Sequence, residues 1–305
     1  VLLRQRFTDR FEEVAATPTA TNDATTSMGG RVRMGKLVGP WLRLRGTAEV
    51  RHERFAPYDA LKASPAAPPG TRTSGMFGFE PTFLIAPLAL DVAPTLRVEA
   101  QRDVVTTRHP FTDAPGASAP TNRVQPVARL AVVERPTSWL AVRANGGRYV
   151  RQPSLMERYG NDGFVLPNPT LRPERGWNAD LGARVATSGT DHVALDVAAF
   201  GSLVDDLVQF QQNAQGLARA ANIGRARIVG GELALSGRLG PGHLVAQATF
   251  TDARDVTMRT AYHDRQLPLR PRLRGLVRPE LRDLRLGRHL AAGVHVEVDA
   301  SSGNY

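Results

Sequence analysis

The sequence predicts an all-β fold: an antiparallel up-and-down transmembrane β-barrel, of which this chain supplies about 12–13 strands. Three observations lead to this prediction. Polar and apolar residues alternate with a period of two, short and long connections follow each other regularly, and no apolar run is long enough for a membrane helix.

The alternation is clearest in WLRLRGTAEVRHER, which begins at Trp41. Successive side chains of a strand point to opposite faces, so one face of this segment is apolar and the other is charged. The apolar face carries Leu42, Leu44, Gly46, Ala48 and Val50, and the charged face carries Arg43, Arg45, Thr47, Glu49 and Arg51. The same pattern recurs in TLRVEAQ, ELALSGRL and LAAGVHVEVDAS.

Connection length supplies the second observation. Strands are predicted at about 26–35, 41–53, 74–86, 95–103, 124–134, 139–150, 176–187, 191–203, 224–238, 243–253, 268–281 and 288–299. Long connections are predicted at 54–73, 104–123, 151–175, 204–223 and 254–267, each separated from the next by a short one. Short turns at one end and long loops at the other are typical of outer-membrane barrels, whereas a soluble β-sandwich has no reason to sort its loops.

Composition excludes several classes of protein and site. The chain has 305 residues and no cysteine, which rules out disulfides, thiol nucleophiles and cysteine zinc sites. Its longest apolar run, FLIAPLAL at 83–90, contains a proline and is far shorter than the roughly 20 residues of a membrane helix. The formal net charge is +10, but arginine recurs at alternate strand positions, which argues against a nucleic-acid surface.

No catalytic or metal-binding motif is found. The seven histidines lack the spacing of a zinc site, and the pair His263–Asp264 in a predicted loop is interpreted as solvated. Nucleophile-elbow, dinucleotide and phosphate-loop motifs are absent from the sequence. We therefore expect no enzyme, no cofactor and no protein metal site.

Five segments carry a resemblance to a known family. They are RQPSLMERYG (151–160), NPTLRPERGWNADLGAR (168–184), LVDDLVQF (203–210), ANIGRARIVGGELAL (221–235) and RQLPLRPRLRG (265–275). In this order they resemble the barrel segment of TonB-dependent outer-membrane receptors. The resemblance is good over 139–305, while the first 130 residues agree only in the regular sequence of strands with short and long connections.

The resemblance implies a fold and a function for the whole chain. Residues 1–305 would form one barrel domain, part of a barrel of roughly 22 strands, without the plug domain of such receptors. The expected function is uptake of a scarce nutrient, with a ferric siderophore as the leading ligand class, across a Gram-negative outer membrane. Expected partners are outer-membrane lipid, a small metal chelate and a TonB-type energy-coupling protein that acts through the plug.

Two sets of candidate site residues follow. Arginines in the lumen phase would form a path for an anionic chelate: Arg43, Arg45, Arg51, Arg97, Arg143, Arg184 and Arg238. Outer-loop residues would contact the ligand from above: Glu157, Tyr159, Asn161, Asp162 and Asn168. The alternative for the arginines is pairing with the plug or with lumen acids such as Glu49, Glu99, Asp180 and Glu232. The alternative for the loop residues is simple solvation.

Other functions and one aromatic signal complete the predictions. A passive porin, a surface-adhesion barrel and a soluble basic β-protein remain alternatives. Trp177 is expected to face lipid near the outer end of its strand, while strict alternation would turn Trp41 and Trp139 inward.

Overall fold

The structure is a computed structural model, and it is almost entirely antiparallel β-sheet. It describes residues 2–13, 19–57, 70–108, 115–161, 165–189, 191–214, 216–258, 263–268, 270–285, 287 and 290–303. The strands are β1 (Leu2–Glu13), β2 (Thr19–Val38), β3 (Leu42–Ala56), β4 (Gly70–Ile85), β5 (Leu90–Arg108), β6 (Pro115–Thr137), β7 (Leu140–Arg151), β8 (Val165–Leu166), β9 (Glu174–Ala186), β10 (His192–Asp205), β11 (Val208–Gln212), β12 (Ala218–Asn222), β13 (Arg225–Leu239), β14 (Gly242–Asp255), β15 (Leu273–Arg285), β16 (Ala291–His295) and β17 (Val298–Ser301). One α-helix, α1 (Leu155–Tyr159), and a 3₁₀ turn, Ala86–Leu88, are also present.

The strands form one up-and-down sheet in chain order. Its path is β1-β2-β3-β4-β5-β6-β7-β9-β10-β13-β14-β15-β16, and β17 pairs with β15 beside β16. The predicted all-β antiparallel fold, a partial barrel of about 12–13 strands, is therefore confirmed. Within the described segments, no helix has the length and apolar character needed to cross a membrane.

Cross-strand register keeps like residues together on each side of the sheet. Val50 lies opposite Gly75, Gly75 opposite Ala100 and Ala100 opposite Val124, so apolar positions line up across four strands. We call this side the apolar face and the opposite side the polar face. On the polar face, Glu49 of β3 lies opposite Arg31 of β2.

β2 places Lys36 on the apolar face, opposite Leu44. From β3 to β15, the apolar face of the main sheet carries an uncharged band. Its alternate positions contain no Asp, Glu, Lys or Arg over residues 42–50, 73–85, 90–100, 122–132, 140–146, 177–185, 193–203, 229–239, 242–250 and 273–281. The stretch from Val193 to Leu203 in β10 spans about 33 Å, or about 25 Å in height at a tilt of about 40°. That height is the one expected of the lipid-facing band of an outer-membrane barrel.

Connections differ in length between the two ends of the sheet. Tight turns join β2 to β3 and β13 to β14, where Gly39 and Gly240 have φ of 66° and 56°. These left-handed values favour glycine because it has no Cβ. The long connections lie at the other end, as the sequence predicts.

The structure corrects three details of the predicted elements. β1 is a strand although its sequence does not alternate, because its backbone pairs with β2 over the whole length. The long connection predicted at 104–123 is wrong: β5 and β6 pair across most of it, from Val104–Pro120 to Arg108–Pro115. The last predicted strand is interrupted, so β16 and β17 are two short pieces.

Candidate functional site

Three connections at the long-loop end cover the polar face of the sheet. We call the described parts of 152–173, 206–224 and 256–272 the loop layer. Within it, β11 pairs with β12, and β12 pairs with β8 in a small second sheet. The first two of these loops are thus joined to each other through backbone hydrogen bonds.

A small apolar core attaches the loop layer to the sheet. Leu207 and Leu267, from two different loops, pack with Val204, Ala226 and Ala253 of the polar face, and all five are buried. Burial of such side chains stabilises a structure by roughly 25 cal/mol per Å². The apolar residues at the loop end of the polar face therefore hold the loops inward.

The helix α1 forms because its sequence carries a capping box. Ser154 Oγ accepts a hydrogen bond from the Glu157 backbone N–H, and the Glu157 carboxylate accepts one from the Ser154 N–H at 2.6 Å. These two bonds satisfy donors that a helix start leaves open. Leu155, the first residue of the helix, is buried. Local structure therefore explains the PSLME part (153–157) of the segment RQPSLMERYG.

A buried ion cluster, which we call the loop anchor, fixes α1 to the sheet. Arg72 Nε donates to Asp103 Oδ1 at 2.8 Å, and Arg72 Nη2 donates to Oδ2 at 3.0 Å. Arg158 of α1 donates to the same carboxylate, and Gln101 Nε2 donates at 2.8 Å. The side chains of Asp103 and Arg158 are 1% and 3% exposed, so the cluster is withdrawn from water.

The two arginines of the loop anchor also hold the loop backbone. Arg72 donates to the Pro153 carbonyl at 2.7 Å, and Arg158 donates to the Pro169 carbonyl at 2.7 Å. One carboxylate on β5 therefore positions both ends of the segment that contains α1. Charge-assisted bonds of this kind are stronger than neutral ones.

Tyr159 packs at the edge of the loop anchor. The Arg158 guanidinium lies 5.4 Å from its ring centre, and a Cβ at Gly70 would lie 3.0 Å from the ring. Burial raises the pKa of Tyr159 to about 12, although the nearby Arg158 charge opposes this shift. The phenol is therefore neutral at physiological pH.

The segment after α1 turns back through Gly160. Its φ is 69°, and a Cβ there would lie 2.3 Å from the Val165 carbonyl oxygen, so only glycine fits without strain. Asn161 Oδ1 accepts a bond from the Val165 N–H at 2.7 Å, and Asn168 Nδ2 donates to the Ala220 carbonyl at 2.8 Å. Both amides are thus engaged in the internal structure of the loop layer.

A second ion network lies at the base of the loop layer. Arg151 donates to Glu157 at 3.2 Å and to Glu174 at 2.8 Å. Glu174 also accepts the Val208 backbone N–H at 2.7 Å, which joins this strand end to a neighbouring loop. The segment NPTLRPE (168–174) is therefore fixed in place by the contacts of its last residue, Glu174.

The predicted lumen arginines all lie on the polar face. Five of the seven have a carboxylate partner: Arg45 with Glu80 (2.8 Å), Arg51 with Glu49 (3.5 Å), Arg97 with Glu99 (2.8 Å), Arg143 with Asp196 (3.2 Å) and Arg184 with Asp196 (2.9 Å). Arg43 and Arg238 have no ion pair among the described residues. The structure therefore places these side chains on one wall and pairs most of them.

A cleft of about 290 Å³ lies on the polar face directly beneath the loop layer. Its charged lining includes Arg31, Arg51, Arg72, Arg97, Glu49, Glu53 and Glu99, and Gln152 of the loop layer closes one side. Pairs such as Arg97 with Glu99 neutralise much of this lining. The cleft can accept polar groups of either sign.

The predicted loop contacts lie in or beside α1 and the following turn. Glu157 and Asn161 are buried, Tyr159 and Asn168 are partly buried, and Asp162 lies outside the described residues. The sequence does not point to Asp103 as the partner of Arg158, or to Arg72 as the donor to the Pro153 carbonyl, because the two members of each pair are 55 and 81 residues apart. No group of three possible metal ligands occurs among the described residues.

Comparisons with known proteins give a family and a fold. The family "TonB dependent receptor-like, beta-barrel" matches residues 5–286. A sequence search of curated proteins gives no match. Similar solved structures include a copper transporter OprC (TM-score 0.70, 17% identity), the Serratia marcescens hemophore receptor HasR with its hemophore and heme (0.66, 18%), and the ferric yersiniabactin uptake receptor FyuA from Yersinia pestis (0.71, 16%).

Coverage is uneven between the chain and these structures. The chain is covered to 92%, 94% and 99%, but it spans only 48%, 53% and 46% of the three. It therefore corresponds to about half the length of each. The family match covers most of the sequence, and the fold agrees with it, so the resemblance noted from the motifs is confirmed: this chain belongs to the family of TonB-dependent receptor β-barrels.

Proposed function

We propose that this chain is the wall and loop portion of an outer-membrane receptor that imports a scarce nutrient, with a ferric siderophore as the leading ligand class. The observation that carries this proposal is the charge segregation between the two faces. From β3 to β15 the apolar face has an uncharged band of the height of a bilayer core, while the polar face carries arginines and carboxylates at matching heights.

The polar face would line the lumen, and the loop layer would form its outer mouth. An anionic chelate would meet the guanidinium groups of the wall, with Arg43 and Arg238 available because no described carboxylate pairs with them. We also keep Glu157, Tyr159, Asn161, Asp162 and Asn168 as proposed ligand contacts. For the described members, such contact requires the loop layer to open, because their polar groups face inward.

Energy would come from a TonB-type protein acting through a plug domain outside these 305 residues. The ligand class is supported by the similar structures, which include a ferric yersiniabactin uptake receptor, a hemophore receptor with heme and a copper transporter. We propose that residues 1–305 form one barrel domain. A passive porin is the second candidate, favoured by the wide polar wall.

The test uses the full-length gene in its own host. We expect the protein in the outer-membrane fraction, and we expect its deletion to abolish growth on one ferric siderophore from a panel under iron limitation. Uptake should stop when a protonophore removes the energy source. Uptake that continues without energy, together with steady ion conductance in planar bilayers, would replace the import proposal with the porin.

A further inference from the structure

A cleft lined by two aromatic side chains lies on the polar face, beside the apolar core that attaches the loop layer. Its volume is about 370 Å³, which falls in the range of roughly 300–1,000 Å³ that ligand sites occupy. We call it the aromatic cleft, and its lining comprises Tyr149, Asn178, Ala179, Asp180, Phe200, Gly201, Ser202 and Ile228. It shares no residue with the predicted arginine path or with the loop anchor.

Strand register brings the polar and aromatic side chains of the aromatic cleft together. Asn178 of β9 lies opposite Ser202 of β10, and Asp180 lies opposite Phe200. Directly opposite residues of antiparallel strands point to the same face, with Cβ atoms about 4.5–5.5 Å apart. These four side chains therefore form one patch on the wall, and each of them is partly exposed.

Two glycines let the aromatic rings lie against the backbone of a neighbouring strand. A Cβ at Gly230 would lie 2.5 Å from Cζ of Phe200, and a Cβ at Gly176 would lie 2.5 Å from Cε1 of Tyr149. A larger residue at either position would therefore displace the ring. Both rings line the aromatic cleft and remain partly exposed.

Hydrogen bonds hold the polar groups of the aromatic cleft in place. Asn145 Nδ2 donates to Asp180 Oδ1 at 2.8 Å, and the Tyr149 hydroxyl shares a hydrogen bond with the Ser202 side chain. Asp180 can accept further donors because a carboxylate has about four acceptor sites. Asn178 adds an amide that can both donate and accept. The aromatic cleft therefore offers positioned hydrogen-bonding groups next to two aromatic rings.

The charge of the aromatic cleft differs from that of the arginine-rich wall around it. Among the described residues that line it, Asp180 is the one charged side chain and none is basic. A carboxylate repels an anionic oxygen but accepts a hydrogen bond from a hydroxyl group. The lining therefore disfavours an anionic group and favours a neutral group that is rich in hydroxyls.

A sugar ring has the chemistry that this lining requires. Its hydroxyl groups lie around the edge and donate to carboxylate and amide oxygens, whereas its C–H groups form an apolar face. The face of an aromatic ring is electron-rich and attracts such polarised C–H groups. Phe200 and Tyr149 would pack against the sugar ring while Asp180 binds its hydroxyls.

We propose that the aromatic cleft binds a neutral sugar unit of the ligand, with Phe200 and Tyr149 as the packing surface and Asp180 and Asn178 as hydrogen-bonding partners of its hydroxyls. This inference rests on the proposed import function, in which the polar face lines the lumen. It adds a recognised group to the ligand, apart from any group that meets the arginines.

The test measures sugar binding to the purified full-length protein by isothermal titration calorimetry, in micelles of a detergent without a sugar headgroup. The probes are neutral trisaccharides of glucose, of xylose and of N-acetylglucosamine. We expect saturable binding of at least one probe. Phe200→Ala should weaken it roughly tenfold through loss of the packing surface, and Asp180→Asn should weaken it roughly tenfold through loss of a charged acceptor.

The matched control is Phe77→Ala, which removes a phenylalanine side chain that is 62% exposed on the apolar face. Phe77 lies opposite Ala48, on the other side of the sheet from the aromatic cleft, so sugar binding should be unchanged. Equal loss in both phenylalanine variants would overturn the proposal, and so would saturable binding of none of the three probes. Heat-dependent mobility in electrophoresis checks the folding of each variant.

A ferric catecholate complex is the competing occupant, because its rings would also pack on Phe200. Its oxygens carry negative charge, so Asp180→Asn should strengthen its binding if it occupies the aromatic cleft. That result, together with unchanged trisaccharide binding, would overturn the sugar assignment. Should the variants not fold, saturation-transfer NMR on the wild-type protein replaces them: irradiation of aromatic protons should label the sugar C–H groups, and no transfer would contradict the packing.

Uptake by cells identifies the source of the sugar unit. Import of a labelled trisaccharide would identify a free oligosaccharide, whereas binding without import, in cells that import a ferric chelate, would identify a glycosylated chelate. Calorimetry needs no energy source, so failure of siderophore import would leave a sugar-binding result standing. Absence of sugar binding would in turn leave the import proposal intact.

Discussion

Replacing Asp103 by asparagine should release the segment that contains α1 from the sheet. Asp103 accepts from Arg72, Arg158 and Gln101, and its removal as a charge leaves two buried guanidinium groups without compensation. Breaking one partner of a buried ion pair costs about 3–5 kcal/mol. The β-sheet pairing itself does not involve this side chain, so the cost should appear in the loop layer.

The control is Asp196→Asn, which also removes a carboxylate bound to two arginines. Its partners Arg143 and Arg184 are 42% and 50% exposed, so water screens their charge. Surface pairs of this kind contribute about 0.2–1 kcal/mol. The two variants therefore match in chemistry and differ in burial.

Hydrogen exchange and limited proteolysis measure the result. We expect amides of 154–161 to exchange about 100-fold faster or more in Asp103→Asn, which corresponds to about 3 kcal/mol. In Asp196→Asn we expect a change of at most about fivefold in the same amides. Equal protection of α1 in both variants would refute the assignment of Asp103 as the loop anchor.

Three further predictions concern the loop layer and the apolar face. Gly160→Ala should destabilise the loop by about 1–3 kcal/mol, because its φ is 69° and the Val165 oxygen occupies the Cβ position; faster proteolysis after α1 would show this. Tyr159 has a pKa of about 12 against an ordinary 10.0, so the folded loop favours the neutral phenol. This preference stabilises the loop below about pH 10, and the stabilisation should be lost as the pH rises towards 12. A difference titration at 295 nm against Tyr159→Phe measures the pKa, and a midpoint near 10 would contradict the claim. Val197→Arg, on the apolar face, should cost about 2–4 kcal/mol in bilayer folding assays, whereas Ala198→Arg on the polar face should cost far less; equal costs would refute the assignment of the faces.

Local patterns predict most of the fold because the strand period is a local property. Alternation in segments such as 41–53 gives both the strands and their two faces. Alternation gives no signal in the hairpin ends at 104–108 and 115–123, whose sequence predicts a loop but whose backbones pair as strands. Trp41 and Trp139 belong to turns, so the alternation that predicts an inward orientation does not reach them.

The partners within the site could be predicted only in part. Glu49 and Glu99 are paired with arginines as the sequence suggests, since alternate residues and neighbouring strands meet on one face. Asp180 instead accepts from Asn145, and Asp196 takes the two arginines, because register decides which residues lie side by side. Register depends on turn geometry and is not readable from composition.

The contacts of the loop anchor cannot be predicted from local sequence patterns for a similar reason. The segment PSLMERYG (153–160) carries part of the resemblance to the family, and its capping box can be predicted from the sequence. The partner of Arg158 lies on β5, far away along the chain, and only the folded sheet brings the two together.

The most direct test of the central claim is a scan of β10 with spin labels. The sequence contains no cysteine, so single cysteines can be introduced from Val193 to Leu203 in the full-length protein and labelled in a bilayer. Collision with oxygen should peak at the odd positions and collision with a water-soluble nickel reagent at the even ones, with a period of two and opposite phase. Equal access of the nickel reagent to both sets would contradict a lipid-facing band and, with it, the outer-membrane receptor.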